Sequence, residues 1–390
     1  MRHLHLGLGR FHRAHQAFYL QNKGVPITAF SMRSPGEAEA LREAGHTYQL
    51  VVVGNGQEET QTITTIDEAL FIQDAQERFL ELMASEEVST VTLTVTEKGY
   101  CARADGTLDT DNPGLETSVL NDLVRGFRAR QEKNRKPLAV LSCDNLSSNG
   151  RLLQRLCQAW SEKSGQSYDR SLVSFPNSMV DRIVPAGDDP LVVRTEAFHQ
   201  WVIEDRFIGG YPHWEQKGLI FVKDVEPFEQ MKLCLLNASH SFLAYYGQLQ
   251  GHEYVHQAIN DPAIKSMVEK LCLEEVGPHL EVPEPWTLPG YVSEMLSRFD
   301  NPGLPHKLSQ IAMDGTQKVP HRFLPHLKHS SVLQKALSAW FTYYYEGLTG
   351  QKSYLVSDPM KEQLAASATE DRTATAAAWK RLLGWRESFY

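Results

Sequence analysis

The chain has no apolar run approaching the roughly 20 residues needed to cross a bilayer; a typical one, Tyr48 to Val53 with its flanks, is far shorter. Its N-terminus, MRHLHLGLGRFHR, is interrupted by His and Gly where a signal peptide would carry a continuous apolar stretch and a small-residue cleavage site. No membrane span or export is expected, and the chain reads as cytoplasmic. Cysteine is sparse. Cys101, Cys143, Cys157, Cys234 and Cys272 are scattered, odd in number and contain no CxxC pair, which excludes a closed disulfide framework and a cysteine-rich zinc site. Gly 26 and Pro 19 are too few for a fibrous or low-complexity protein, and no internal repeat is visible. Basic charge is short as well: 39 Lys+Arg against 48 Asp+Glu leave a net charge of −9, which repels a polyanion, so nucleic acid is not an expected partner.

What remains is an ordinary globular composition, 42% hydrophobic and 22% charged, in 390 residues, more than one hydrophobic core usually serves. Two domains are expected. From residue 1 to about 185, short β-branched runs alternate with helical stretches, the rhythm of a parallel sheet. His3 to Gly9, Ile27 to Met32, Thr90 to Thr96 and Leu138 to Asp144 read as strands. Ala14 to Lys23, Pro35 to Glu43 and Asp67 to Ser85 read as helices, and Tyr48 to Val53 and Glu59 to Ile66 as further extended segments. Gly and Pro then cluster between Asp205 and Phe228, marking a boundary near 225. Beyond it, Pro227 to Tyr246, Pro262 to Glu275, Pro285 to Arg298, Ser331 to Glu346 and Glu370 to Leu383 all carry helical spacing. The expected fold is α/β: a Rossmann-type doubly wound sheet over 1–225, followed by a mostly α-helical domain over 226–390.

Leu4-His5-Leu6-Gly7-Leu8-Gly9 ahead of a helix is the geometry in which a dinucleotide pyrophosphate meets a helix N-terminus: Gly7 permits the tight turn, Gly9 lets backbone approach phosphate. The third glycine of GxGxxG is replaced by His12, so close helix-on-strand packing is not expected there. At the end of the second strand, where an acid would hold the ribose 2′-hydroxyl, the chain has Met32-Arg33-Ser34, with the nearest acid at Glu37. Arg33 suits a 2′-phosphate, favouring NADP, or a stack on adenine while NAD binds, so this position leaves both cofactors open; NAD is the cofactor expected for the chain as a whole.

In the second half, Met231 to His240 is apolar except for Lys232, Asn237 and His240 as its main polar interruptions. At about 100° per residue, Asn237 falls roughly 140° and His240 roughly 80° round from Lys232, on one broad face. Desolvation lowers a lysine's pKa and fits it to accept a proton; an amide can donate to an oxyanion and an imidazole can position a hydroxyl. Spacing alone equally suits a snorkelling lysine beside a core Asn and His. His252-Glu253-Tyr254-Val255-His256 matches the zinc motif HExxH, but Gly251 and Asn260-Asp261-Pro262 confine it to a short helix, and no third ligand has the usual spacing. No metal is expected, although a zinc hydrolase is a rival reading.

Several segments together resemble the mannitol dehydrogenase family of polyol-specific, zinc-independent dehydrogenases and reductases. They are Gly7-Leu8-Gly9-Arg10-Phe11-His12-Arg13-Ala14-His15, Thr94 to Tyr100, Ser142-Cys143-Asp144-Asn145-Leu146, Phe175 to Pro185 around Val180-Asp181-Arg182-Ile183, and Lys232 to His240, which is similar to the family's KLxLLNxSH block. The resemblance implies Lys232 as general acid/base, Asn237 and Asn145 as donors to the substrate oxygen, and His240 as a substrate contact. It further implies Asp181 and Lys318 as substrate-binding residues, with Gly7, Gly9, Arg10, Phe11, Arg33, Thr96 and Glu97 on the cofactor side. From the residues themselves, Asp181 and Arg182 read equally as a buried ion pair, and Asn145 as a turn or cap. Gln310 to Lys318 and Met32 to Pro35 resemble the fructuronate reductases, and Arg322, with Lys318 and His321, offers a cation for a uronate carboxylate. The implied activity is hydride transfer between NAD(P)(H) and a sugar alcohol or aldonate, giving a ketose or ketouronate, in a cleft between the domains of a monomer or small homo-oligomer. A catalytically silent NAD-binding regulator is the other rival.

Overall fold

The computed structural model describes residues 1–390 apart from 55, 96, 104, 211, 387, 388 and 390 and the side chains of 97 and 98. It divides into two compact units, Met1–Glu226 and Pro227–Tyr390.

The first unit opens with β1 (Arg2–Leu6), α1 (Arg10–Ala14), α2 (Gln16–Gln21), β2 (Ile27–Ser31) and α3 (Gly36–Glu43). The strands β3 (Tyr48–Gly54), β4 (Gln57–Ile63) and β5 (Ile66–Phe71) follow, then α4 (Gln76–Met83), β6 (Val88–Leu93), α5 (Val119–Lys133), β7 (Leu138–Ser142) and α6 (Asn149–Ser164). It closes with β8 (Val173–Ser174), β9 (Ser178–Asp181), β10 (Val192–Glu196), β11 (Gln200–Glu204) and β12 (Leu219–Val222). The main sheet runs β5-β2-β1-β6-β7-β8 with every pair parallel. Counted along the chain, those strands lie in the order 3-2-1-4-5-6 of a doubly wound dinucleotide fold, and the order reverses between β1 and β6. Ligands of such sheets bind beyond the carboxyl ends of the strands at that reversal, which is where Gly7 follows β1 and Thr94 follows β6.

Strand alternation explains the odd composition of β1. Leu4 and Leu6 join Phe30, Phe79 and Val91 in the core on one face, while His3 and His5, both buried, lie on the other. Two small sheets, β10-β3-β4 and β12-β11-β9, complete the unit.

Two expectations need correction here. The helix expected over Ala14 to Lys23 starts earlier and breaks at His15, which leaves helical geometry at φ −123°, ψ −83° as its ring meets the Gln200 carbonyl at 2.9 Å. The helical spacing read over Asp67 to Ser85 begins only at Gln76. A short apolar run fits either period, and parallel pairing with β2 makes Ile66–Phe71 a strand.

The second unit is helical. In it α7 (Glu226–Met231) continues without a break through a π segment, Lys232–Asn237, into α8 (Ala238–Phe242) and a second π segment, Leu243–Gly247. Then come α9 (Val255–Ile259), α10 (Pro262–Lys270), α11 (Leu288–Phe299), α12 (Leu308–Ile311), α13 (Gly315–Arg322), α14 (Ser331–Leu348), α15 (Lys361–Ala366) and α16 (Arg372–Leu383). Asp261 caps α10 by accepting from Ala263 and Ile264 N–H, with Pro262 in the first turn, the start signal its sequence carries. Buried Trp340, Phe341, Tyr343, Tyr344 and Tyr345 on α14 centre the core. Among the described residues no helix is long and apolar enough to cross a membrane.

Helix α13 has no clear sequence signal, since Pro320 stands inside it. Tertiary contacts hold it instead. Gly315 N–H donates to the Tyr344 hydroxyl at 2.8 Å, and Thr316 donates to Asp358 through its N–H at 2.9 Å and its hydroxyl at 2.6 Å. A Cβ on Gly315 would stand 2.5–2.6 Å from Trp340, Tyr245 and Tyr344.

Candidate functional site

In the first unit the glycine turn sits at the sheet's point of reversal. Gly7 has φ +106°, and an added Cβ would meet Thr94 Oγ1 at 2.9 Å and the Thr94 carbonyl oxygen at 3.0 Å, so this position requires glycine. Gly7 and Leu8 both donate to the Phe30 carbonyl at 2.9 Å, which pins the turn to β2. Gly9, the N-cap of α1, is extended and carries no side-chain cap. A glycine turn of this shape at this place fits a dinucleotide pyrophosphate.

The side chains expected around it are arranged less simply. Arg10 donates to the carbonyls of Val192, at 2.8 Å, and of Gly187 and Asp189, holding the 187–192 loop. Phe11 stacks on His15 at 5.0 Å between centroids. Arg33 is exposed beyond β2, and Glu37 is paired with buried Arg13. Thr96 lies outside the described residues, as does the side chain of Glu97. Asn145 is exposed just after β7, in a turn where Asp144 Oδ1 accepts from Leu146 N–H at 3.0 Å. Asp181, 4% exposed, ends β9; the neighbouring Arg182 guanidinium donates to the backbone carbonyls of Ala14 and Glu196.

In the second unit Lys232, Asn237 and His240 are 7%, 7% and 6% exposed on one continuous helix. The π segment corrects the angular estimate. Bonding from i to i+5 turns the chain less per residue than an α-helix, so Asn237 comes round nearer Lys232 than roughly 140°. Asn237 Nδ2 and His240 Nε2 find no hydrogen-bond partner among the described residues, although both atoms are buried. Buried polar atoms in folded proteins are rarely left so, and at a site they are the atoms a ligand satisfies. Arg322 secures the helix, donating to the Asn237 carbonyl at 3.3 Å and to Ser241 Oγ at 2.9 Å. Lys318, one turn before Arg322 on α13, donates to the Ile311 carbonyl at 3.1 Å. His321 is exposed.

Basic side chains act on His240. Burial, then the charges of His306, Arg298, Arg322 and Lys232, holds the His240 pKa well below its ordinary value, so this ring is neutral. Sequence reasoning missed His306. Its ring lies 5.7 Å from that of His240, and burial and Lys318 push its pKa down to about 4. The segment carrying it has no periodicity to flag it.

The HExxH segment accounts for where His306 stands. His252 and Glu253 precede α9 rather than sharing a helix face with His256, so the geometry in which such histidines bind zinc is not formed. Their stretch pairs instead with residues 306–308: Val255 N–H donates to the His306 carbonyl at 3.0 Å and Leu308 N–H to the Glu253 carbonyl at 2.9 Å. His252 faces Asp261 at 3.5 Å, and Glu253 faces Lys307 at 3.7 Å.

Comparison with known proteins agrees with a Rossmann-type unit followed by a helical one. A family model described as the mannitol dehydrogenase Rossmann domain matches residues 1–216, and one described as the mannitol dehydrogenase C-terminal domain matches residues 224–386. D-mannonate oxidoreductase of Escherichia coli (strain K12) is 38% identical over 404 residues, covering 92% of this chain and 82% of its own length. A mannitol 2-dehydrogenase of Neosartorya fischeri is 32% identical over 414 residues, covering 94% and 82%. Among solved structures, the ternary complex of Pseudomonas fluorescens mannitol 2-dehydrogenase with NAD and D-mannitol is similar with a TM-score of 0.88 at 29% identity, covering 100% of this chain and 87% of that one. With models of both family domains matched in order along nearly its whole length, the chain belongs to the mannitol dehydrogenase family.

Proposed function

We propose that this protein transfers hydride between NAD(H) and a sugar acid, interconverting a secondary alcohol of an aldonate and the ketone of a ketouronate. The observation that carries this reading is the buried face of Lys232, Asn237 and His240, with two unpartnered polar atoms, set among Arg298, Lys318 and Arg322. A neutral polyol needs no such concentration of cations, whereas a carboxylate is stabilised by it. The similarity to D-mannonate oxidoreductase supports the same choice.

When bound, the nicotinamide accepts or supplies the hydride. The chain's own residues handle the oxygen. In the oxidative direction Lys232 Nζ takes the hydroxyl proton as hydride leaves the same carbon, and in reduction the ammonium returns that proton to the ketone oxygen. Asn237 Nδ2 donates to the oxygen as negative charge develops, and Asn145 is assigned the same task. His240, neutral, positions a neighbouring hydroxyl, and Asp181 and Lys318 contact the remainder of the sugar. Arg322 fixes the helix and adds its charge to the carboxylate's side. Gly7 and Gly9 bring backbone to the pyrophosphate, with Arg10, Phe11, Arg33, Thr96 and Glu97 around the cofactor. Amide donors and a lysine ammonium thus do the work that a metal does in other alcohol dehydrogenases.

The test is oxidation of NADH and of NADPH, followed at 340 nm, against fructuronate, tagaturonate, fructose and fructose 6-phosphate. A ketouronate turned over at least tenfold more efficiently than fructose is expected. Fructose as the better substrate would replace the sugar-acid reading with a polyol one, and silence across the panel would overturn the activity itself.

A further inference from the structure

Beneath the glycine turn the hydrogen bonds of buried and half-buried side chains can be assigned one by one. Thr94 Oγ1 lies 2.7 Å from the Gly7 carbonyl oxygen, which only accepts, so the Thr94 hydroxyl donates there. His5 Nε2 lies 3.0 Å from that same Oγ1 and 3.3 Å from the Gly7 oxygen; with the Thr94 proton already given to Gly7, Nε2 must carry hydrogen and donate. His5 is neutral, so its Nδ1 accepts, and the partner at 2.7 Å is the Thr92 hydroxyl, which donates to it. Thr92 Oγ1 in turn accepts from His3 Nε2 at 2.7 Å. One direction runs through all four side chains: His3 to Thr92, Thr92 to His5, His5 to Thr94, Thr94 to Gly7.

The residue in the third glycine's place completes the device. His12 stacks on His5 with 3.4 Å between ring centroids and 7° between planes, and neither of its ring nitrogens has a hydrogen-bond partner among the described residues. Its contribution is a flat surface that holds the His5 plane. A glycine there would leave the ring free to tilt off Thr94.

We infer that His5 and Thr94 are positioning residues for the cofactor: their ordered chain fixes the Gly7 peptide in the conformation the pyrophosphate requires. The inference rests on reading the Gly7 turn as the cofactor site. It accounts for an alternation of His and Leu in β1 that a plain hydrophobic strand would not need, and for a threonine packed against Gly7 so closely that a Cβ cannot enter.

The experiment is NADH binding to the full-length protein, by quenching of its tryptophan fluorescence, for Thr94→Val, Thr94→Ser, His5→Phe and the native chain. Thr94→Val keeps the shape and removes the donor, and its Kd should rise about tenfold. Thr94→Ser keeps the hydroxyl and should stay within about twofold. His5→Phe keeps the stack on His12 without the hydrogen bonds and should match Thr94→Val; if it fails to fold, the threonine pair still decides. The defect should appear in KM for NADH and be recovered at saturating cofactor. Thr94→Val binding as well as native, or Thr94→Ser failing alongside it, would overturn the positioning role. A native protein that does not bind NADH at all would overturn the cofactor reading beneath it, a distinguishable result.

Discussion

Both units bury histidine, and they use it in opposite ways. On the inner face of β1, His3 and His5 are tied into one directed chain of hydrogen bonds, and His12 is flattened against His5. In the second unit His240 rests against Phe299, at 4.2 Å between ring centroids, with Nε2 directed at no partner among the described residues. The first arrangement preserves a shape, because each donor in the chain from His3 to Gly7 has a fixed acceptor. The second preserves a capacity, because a desolvated and unsatisfied atom interacts strongly with whatever polar group arrives.

The contrast breaks first at Lys232. Lys232→Ala should lower kcat by about 10³-fold or more while NADH binding stays within about twofold, because it removes a proton carrier and leaves the first unit intact. Retained turnover with lost cofactor affinity would invert the assignment.

Acid tests next the burial that both uses share. Burial pushes the His3 pKa down to about 3 and holds those of His5 and His12 well below ordinary, whereas the unfolded chain takes up protons near 6.5. Above that pH both states are neutral and these groups leave stability unchanged. As pH falls from about 6.5 toward 3, the unfolded state binds protons the folded state refuses, so stability falls by up to about 1.4 kcal/mol per pH unit for each histidine. Urea unfolding of the native chain at pH 7 and pH 5.5 measures the loss. His12→Phe, which keeps an aromatic stack, should flatten the slope, and an unchanged slope would mean that His12 is not neutral in the fold.

Asn237→Ala should cost roughly 10²-fold in kcat with little change in the KM for NADH, as expected when an amide aimed at a developing oxyanion is removed. A pure KM effect would make Asn237 a ground-state contact instead. Gly7→Ala should weaken NADH binding about tenfold or more through its positive φ and its collision with Thr94, measured by the same fluorescence titration. The smallest expected effect is that of EDTA, which should leave turnover unchanged; loss of activity on chelation, restored by Zn²⁺, would bring the HExxH segment back into the chemistry.

Much of this was legible in the chain itself. The glycine turn, the parallel rhythm of the first half and the Lys232 to His240 block are local patterns, with period, spacing and residue type all readable along a line. Asp261-Pro262 announces the start of α10 because a cap and a first-turn proline act on their own helix. Three features were not legible. The π segment at Lys232–Asn237 has the same apolar composition as an α-helix, and only the packed neighbours select the wider turn. Helix α13 forms across Pro320 because Tyr344 and Asp358, distant in sequence, satisfy its first turn. The HExxH segment reads as no metal site for want of helix length and a third ligand, but nothing along the line shows its backbone pairing with residues 306–308.

By itself, then, the sequence determined the fold class, through patterns whose physics is local, and the family, through motifs that resemble it; roles for Lys232, Asn237 and His240 follow only as that resemblance implies. Tertiary structure alone decided that Asn237 Nδ2 and His240 Nε2 are buried without a partner among the described residues. A hydrogen bond's partner and a side chain's desolvation depend on residues far along the chain: Thr92 for His5, Phe299 and Arg298 for His240. No one-dimensional pattern records that distance.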